Sequence, residues 1–120
     1  MDSFFSNDGW VVLNNVNLIA NQAYTGLGAA VFCSNPVAGL FSGLTVANNY
    51  AGAFNAAFAS CTGTITLATT VIANNTVGNT WPANACNTPM TNGGNVIQSP
   101  ITKQSPATGT DSSCVFFFFP

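Results

Sequence analysis

Hydrophobic residues recur along this chain at a shared spacing instead of in blocks. Three segments align on it. The first is Leu13-Asn14-Asn15-Val16-Asn17-Leu18-Ile19-Ala20-Asn21-Gln22-Ala23. The second is Phe41-Ser42-Gly43-Leu44-Thr45-Val46-Ala47-Asn48-Asn49-Tyr50-Ala51. The third is Leu67-Ala68-Thr69-Thr70-Val71-Ile72-Ala73-Asn74-Asn75-Thr76-Val77. Each runs apolar, two spacers, mostly apolar, one spacer, aliphatic, two spacers, Asn, one spacer, then Ala or Val. The Asn residues are offset by 28 (Asn21 to Asn49) and 26 (Asn49 to Asn75). The cysteines keep nearly the same beat, at 28, 25 and 28 residues from Cys33 through Cys61 and Cys86 to Cys114. A period of this size marks a solenoid or array. Alternation such as Val16-x-Leu18 and Leu44-x-Val46 predicts strands, and the Asn, Thr, Gly and β-branched residues that fill the units are weak helix formers. Each unit therefore reads as one coil, stacked about 4.8 Å from the next. A weaker fourth unit begins at Gly93-Gly94-Asn95-Val96-Ile97.

Stacking gives each column a physical meaning. Leu18, Val46 and Ile72 fall into one core column, and Val16 and Leu44 into another. Asn21, Asn49 and Asn75 fall at a bend. An inward Asn there satisfies polar groups that a tight turn would otherwise bury unpaired, by bonding the backbone of its own turn and the amide of the next coil. Asn also favours turns for purely local reasons, but the constant spacing from the aliphatic strand favours a ladder. Gly26, Gly28 and the pairs Ala29-Ala30 and Ala56-Ala57 follow the bend and suit a tight corner. A second strand is expected at Val31-Phe32-Cys33 and again at Phe58-Ala59-Ser60-Cys61.

These residues resemble the β-helix repeats of polymorphic outer-membrane-type proteins and their algal and protist relatives, which read roughly Phe-x-x-Asn-x-Ala, a short gap, then Gly-Gly-Ala-Ile. Leu18-Ile19-Ala20-Asn21-Gln22-Ala23 followed by Gly28-Ala29-Ala30-Val31 looks like that pattern. Val46 to Ala51 with Ala56-Ala57-Phe58 is a looser copy, and Ile72 to Val77 keeps only the first half. The likeness covers roughly residues 11–100. It implies an extracellular or cell-surface scaffold, adhesin or passenger segment without a family active site. The expected fold is all-β, a right-handed parallel β-helix (β-solenoid) of about four coils. The alternative is a leucine-rich-repeat solenoid, whose Leu-x-x-Leu-x-Leu-x-x-Asn shape is similar. Leucine is scarce here, however, and the Gly-Ala-Ala-Val strand has no place in such a repeat.

Coils are expected over residues 1–98 and an extended Ser/Thr/Pro tail over 99–120. Residues 78–92, with Pro82 and Pro89, read as a loop leaving the body. Cysteines aligned in one column would lie within disulfide reach. The simplest pairing is Cys33 with Cys61 and Cys86 with Cys114, but four cysteines allow three connectivities and sequence does not choose among them. The run Val115-Phe116-Phe117-Phe118-Phe119 needs cover. It folds back as a cap, inserts into a neighbouring subunit as an added strand, or is internal to a longer chain. Met1-Asp2-Ser3-Phe4-Phe5 lacks the features of a signal peptide, so if the protein is secreted the chain is expected to be part of a longer one.

Charge narrows the functions. Charged residues make up 3% of the 120 residues: Asp2, Asp8, Lys103 and Asp111, with no His. An ordinary soluble domain has about 25%. Asn (16) and Thr (14) supply a quarter of the chain. One lysine cannot hold nucleic acid. No stretch of about 20 apolar residues is present to span a membrane. Without His or a CxxC pair, no metal site is expected, and no cofactor is implied. Paired carboxylates or an Arg or Lys base are missing from the repeats, so catalysis is not expected. A surface this poor in charge associates readily or carries glycans. The expected partners are copies of the chain itself, flanking β-structure of a parent protein, and glycans. The single sequon, Asn74-Asn75-Thr76, makes Asn74 the glycosylation candidate. A glycan- or ice-binding module is the alternative function. Thr64, Thr66, Thr69 and Thr70 would carry ice binding, and Trp10, Tyr24, Tyr50 and Trp81 would carry glycan binding.

Overall fold

The computed structural model describes residues 4–6, 9–25, 30–33, 37–52, 56–59, 61, 64–78, 86, 89–99 and 114–115. Every regular element among them is a strand. The first repeat supplies β1 (Phe4–Ser6), β2 (Gly9–Asn14), β3 (Asn17–Ile19) and β4 (Gln22–Ala23). The second supplies β5 (Val31–Cys33), β6 (Val37–Ser42), β7 (Thr45–Ala47) and β8 (Tyr50–Ala51). The third supplies β9 (Phe58–Ala59), β10 (Ile65–Ala68), β11 (Thr70–Ala73) and β12 (Thr76–Val77). Then follow β13 (Thr91–Asn92) and β14 (Val96–Ser99).

The strands form four parallel sheets, ordered β1-β5-β9, β2-β6-β10-β13, β3-β7-β11-β14 and β4-β8-β12. Within each sheet, neighbours come from successive repeats and pair in parallel. This all-β arrangement fits a β-solenoid-like fold.

The hydrophobic period explains the register. Leu18 pairs with Val46, Val46 with Ile72, and Ile72 with Gln98, so one inward column runs through a whole sheet. Leu13 pairs with Phe41, and Phe41 with Leu67, in the neighbouring sheet. These side chains share one core with Val31, Phe58 and Ile65. Phe41 and Phe58 stack across it with ring centroids 5.9 Å apart. Burial of each such side chain stabilises by roughly 1.5–3 kcal/mol. Thr70 takes the third place in the column that begins Val16 and Leu44. It is buried because its hydroxyl donates to the Ala68 carbonyl (2.7 Å) and accepts from the Leu44 N–H (3.4 Å).

Between sheets the chain turns through left-handed backbone. Asn15, Gly43 and Thr69 have φ of 56°, 70° and 47° at one set of bends, and Ala20, Asn48 and Asn74 have 59°, 59° and 55° at the next. Asn and Gly tolerate this region, whereas other residues lose about 1–2 kcal/mol there. Ala20 and Thr69 are thus local conflicts. We expect Ala20→Asn and Thr69→Asn each to raise stability by about 1 kcal/mol. Urea unfolding measures it, and an unchanged or lowered midpoint would contradict the strain. At position 20 the new side chain also joins a row in which Asn74 Nδ2 already donates to Asn48 Oδ1 at 2.7 Å.

The C-terminal rows depart from the sequence reading. Thr91–Asn92, expected in a loop, is a strand on β10, and Cys86 bridges to Phe58 in parallel. Proline signals at 82 and 89 obscured a row whose first strand, β13, is only two residues long. Ser99, placed at the start of the tail, ends β14. Cys114 and Val115 are buried in the core, and Val115 bridges to Met90 in parallel. Gln98 closes the Leu18 column with a polar group whose Oε1 accepts from the Cys114 N–H at 2.8 Å.

Candidate functional site

Two features tie the rows together beyond the sheet ladders. The first is the asparagine bend. Oδ1 of Asn49 accepts from both the backbone N–H (2.9 Å) and Nδ2 (3.0 Å) of Asn21. Oδ1 of Asn75 accepts likewise from the N–H (3.0 Å) and Nδ2 (2.8 Å) of Asn49. Nδ2 of Asn49 also donates to Leu18 O (2.9 Å), and Nδ2 of Asn75 to Val46 O (3.0 Å). All three residues are buried. The backbone partner is thus a carbonyl of the preceding repeat, not the residue's own turn as the sequence reading had it. The residue just before each Asn has left-handed backbone, and the Asn side chains bond from row to row.

The second feature is the pair of disulfides. Cys33 bonds Cys61 and Cys86 bonds Cys114, each across 28 residues with Cα atoms 5.1 Å apart. The four cysteines do not form one column. Cys86 pairs with Phe58, itself the partner of Val31. The shorter 25-residue step from Cys61 to Cys86 is the cause. Disulfides of this kind are compatible with an oxidising environment.

None of the described residues is charged; Asp2, Asp8, Lys103 and Asp111 lie outside them. One outward row reads Asn17, Thr45, Val71, Ile97 and the next reads Ile19, Ala47, Ala73, Ser99. The four threonines singled out above do not share a face. Thr66 is in mid-strand, Thr64 and Thr69 lie at turns, and Thr70 is buried. Tyr24 and Tyr50 form a tilted pair 6.2 Å apart, with the Tyr24 hydroxyl donating to Gln22 Oε1. Trp10 is exposed, and Trp81 lies outside the described residues. Asn74 is exposed on the bend, beside the buried Asn75. Of the run 115–119, only Val115 is described; Phe116, Phe117, Phe118 and Phe119 lie outside.

Among the described residues no cluster of His, Cys, Asp and Glu fit to hold a metal is present. Nor is any helix there long and apolar enough to cross a membrane. No protein-family model, curated protein or solved structure matches the chain.

Proposed function

We propose that the chain is a right-handed parallel β-helix of about four coils, of the kind seen in polymorphic outer-membrane-type repeats. Its role in this reading is structural and extracellular, as a filament subunit or a segment of a cell-surface scaffold or adhesin. The observation that carries it is the buried Asn21–Asn49–Asn75 ladder running beside the Leu18–Val46–Ile72 column. Side chains that define the repeats are spent on holding row to row. The disulfides add covalent ties suited to an oxidising compartment, and the sequence has no His, Glu or Arg for acid–base work.

Fractionation of the source cells under non-reducing conditions, with protease shaving of intact cells, tests the reading. The chain is expected outside the cell with both bridges oxidised. Recovery from the cytosol with free thiols, or turnover of polysaccharides by the purified chain, would sink it.

Asn74 is the proposed glycan site. Expression through a eukaryotic secretory pathway is expected to give a glycosidase-sensitive mass increase that Asn74→Gln abolishes. An increase that persists in that variant would refute the assignment. A second reading, glycan binding, is favoured by the Tyr24–Tyr50 pair with Gln22 at its edge. Neutral saccharide titration watched by tyrosine fluorescence separates it from the structural reading.

A further inference from the structure

The chain has only two tyrosines, and the fold brings them together. Tyr24 follows β4 in the first repeat and Tyr50 opens β8 in the second. Their ring centroids lie 6.2 Å apart with the planes tilted by 57°, inside the range of about 4.5–7 Å for aromatic rings in contact.

The parallel ladder explains the meeting. Gln22 pairs with Tyr50 and Ala23 with Ala51, and the Gly52 N–H donates to the Ala23 carbonyl at 2.7 Å. Gly52 thus continues the column of Tyr24. A Cβ at position 52 would collide with the Tyr24 carbonyl oxygen, so glycine is what lets the two rows approach here. The Tyr24 hydroxyl donates to Gln22 Oε1, which leans its ring back over the column that Tyr50 occupies. The Tyr50 hydroxyl in turn lies over Gly78 of the third repeat, where a Cβ would collide with it.

Neither disulfide ties these two rows. Cys33–Cys61 joins the second repeat to the third, and Cys86–Cys114 lies among the last rows. β1 to β4 carry no disulfide. Tyr24 is 72% exposed and Tyr50 is half-buried, so a dissolved oxidant reaches the pair. The more easily oxidised sulfur groups among the described residues are out of reach: all four cysteines are bonded and Met90 is buried. Trp10, 69% exposed, is the competing target.

We infer that Tyr24 and Tyr50 form an oxidative cross-linking site, closed to a dityrosine by a peroxidase-type one-electron oxidant with hydrogen peroxide. Each phenol gives up one electron and its hydroxyl proton, leaving two phenoxyl radicals. A new bond forms between the ring carbons next to the two hydroxyl-bearing carbons. The hydrogens on the joined carbons then move to the oxygens, and both rings regain their aromaticity. One hydrogen peroxide takes up the two electrons and two protons and becomes two waters. The exposed Tyr24 ring reorients on the ps–ns timescale, which brings the rings from their resting separation to bonding contact. Holding both radicals side by side in one molecule favours coupling within the chain over coupling between chains. The product is a third covalent tie, between the first and second repeats. The site is independent of the role proposed above.

Peroxidase and hydrogen peroxide, applied to the dilute native chain, test the site. The expected product is a monomer lighter by two hydrogens, with dityrosine fluorescence and a cross-linked peptide containing positions 24 and 50. Its urea midpoint should lie above that of the untreated chain, because the tie restricts the unfolded state as a disulfide does. Tyr24→Phe and Tyr50→Phe each keep a ring, and each should abolish the monomeric product. In urea, with both disulfides intact, the yield should fall several-fold. Dityrosine found only in covalent dimers would overturn the proposal. So would a yield that urea leaves unchanged, or oxygen added at Trp10 while both tyrosines stay intact.

Discussion

Replacing Cys33 with Cys61, and Cys86 with Cys114, by alanine pairs should leave the chain unfolded at room temperature. Each bridge spans 28 residues. In the chain-entropy account, closing a loop of that length removes about 3–4 kcal/mol of freedom from the unfolded state. Two bridges approach the whole stability of a small domain, about 5–15 kcal/mol. All four cysteines are buried, so substitution is a cleaner test than reduction. The single-bridge variants should differ. Without Cys86–Cys114, Val115 and Met90 lose the tie that holds the last row, and protection should fall there first. Without Cys33–Cys61, the loss strikes between the second and third sets of strands. Far-UV circular dichroism and amide exchange read both effects. A four-alanine variant as stable as the parent would show that packing and backbone pairing suffice.

Asn49→Ala should cost about 3–5 kcal/mol. The side chain makes four hydrogen bonds in a fully buried place, two as acceptor from Asn21 and two as donor to Leu18 O and Asn75 Oδ1. Alanine leaves groups on three residues short of partners where water has little access. The neighbouring Asn48 is exposed and supplies the control. Its left-handed backbone is kept by Asn48→Gly, which should change stability by no more than about 1 kcal/mol. Chemical denaturation of both variants measures the contrast. Equal, small losses at 48 and 49 would mean that the ladder adds nothing beyond ordinary turn preference. The edge positions 21 and 75 each have a ladder partner on one side only, so their replacement should cost less than that of Asn49.

Both predictions concern polar or covalent contacts between rows, and these differ in how far the sequence disclosed them. The recurrence of Asn21, Asn49 and Asn75 at a constant distance from Leu18, Val46 and Ile72 was legible. A parallel stack repeats the same chemistry in every row, so a column in space is a period in sequence. The strands at Val31–Cys33 and Phe58–Ala59 were legible for the same reason. The donors and acceptors of the ladder were not. Which carbonyl an amide reaches is set between rows, and at position 20 the left-handed residue before the Asn is an alanine, which carries no turn signal.

The last rows were the least readable part. Pro82 and Pro89 are loop signals, and β13 is too short to show alternation. Its pairing with β10, and the return of Cys114 and Val115 onto Gln98 and Met90, arise from contacts between residues far apart in the chain. Sequence alone determined that this protein repeats, that its repeats are β rather than helical, and that its charge is nearly nil, because period and composition are local properties. Only the tertiary structure decided the parallel register, the disulfide partners and the direction of the ladder. Each of those depends on which distant segment comes to lie within hydrogen-bond or bonding distance.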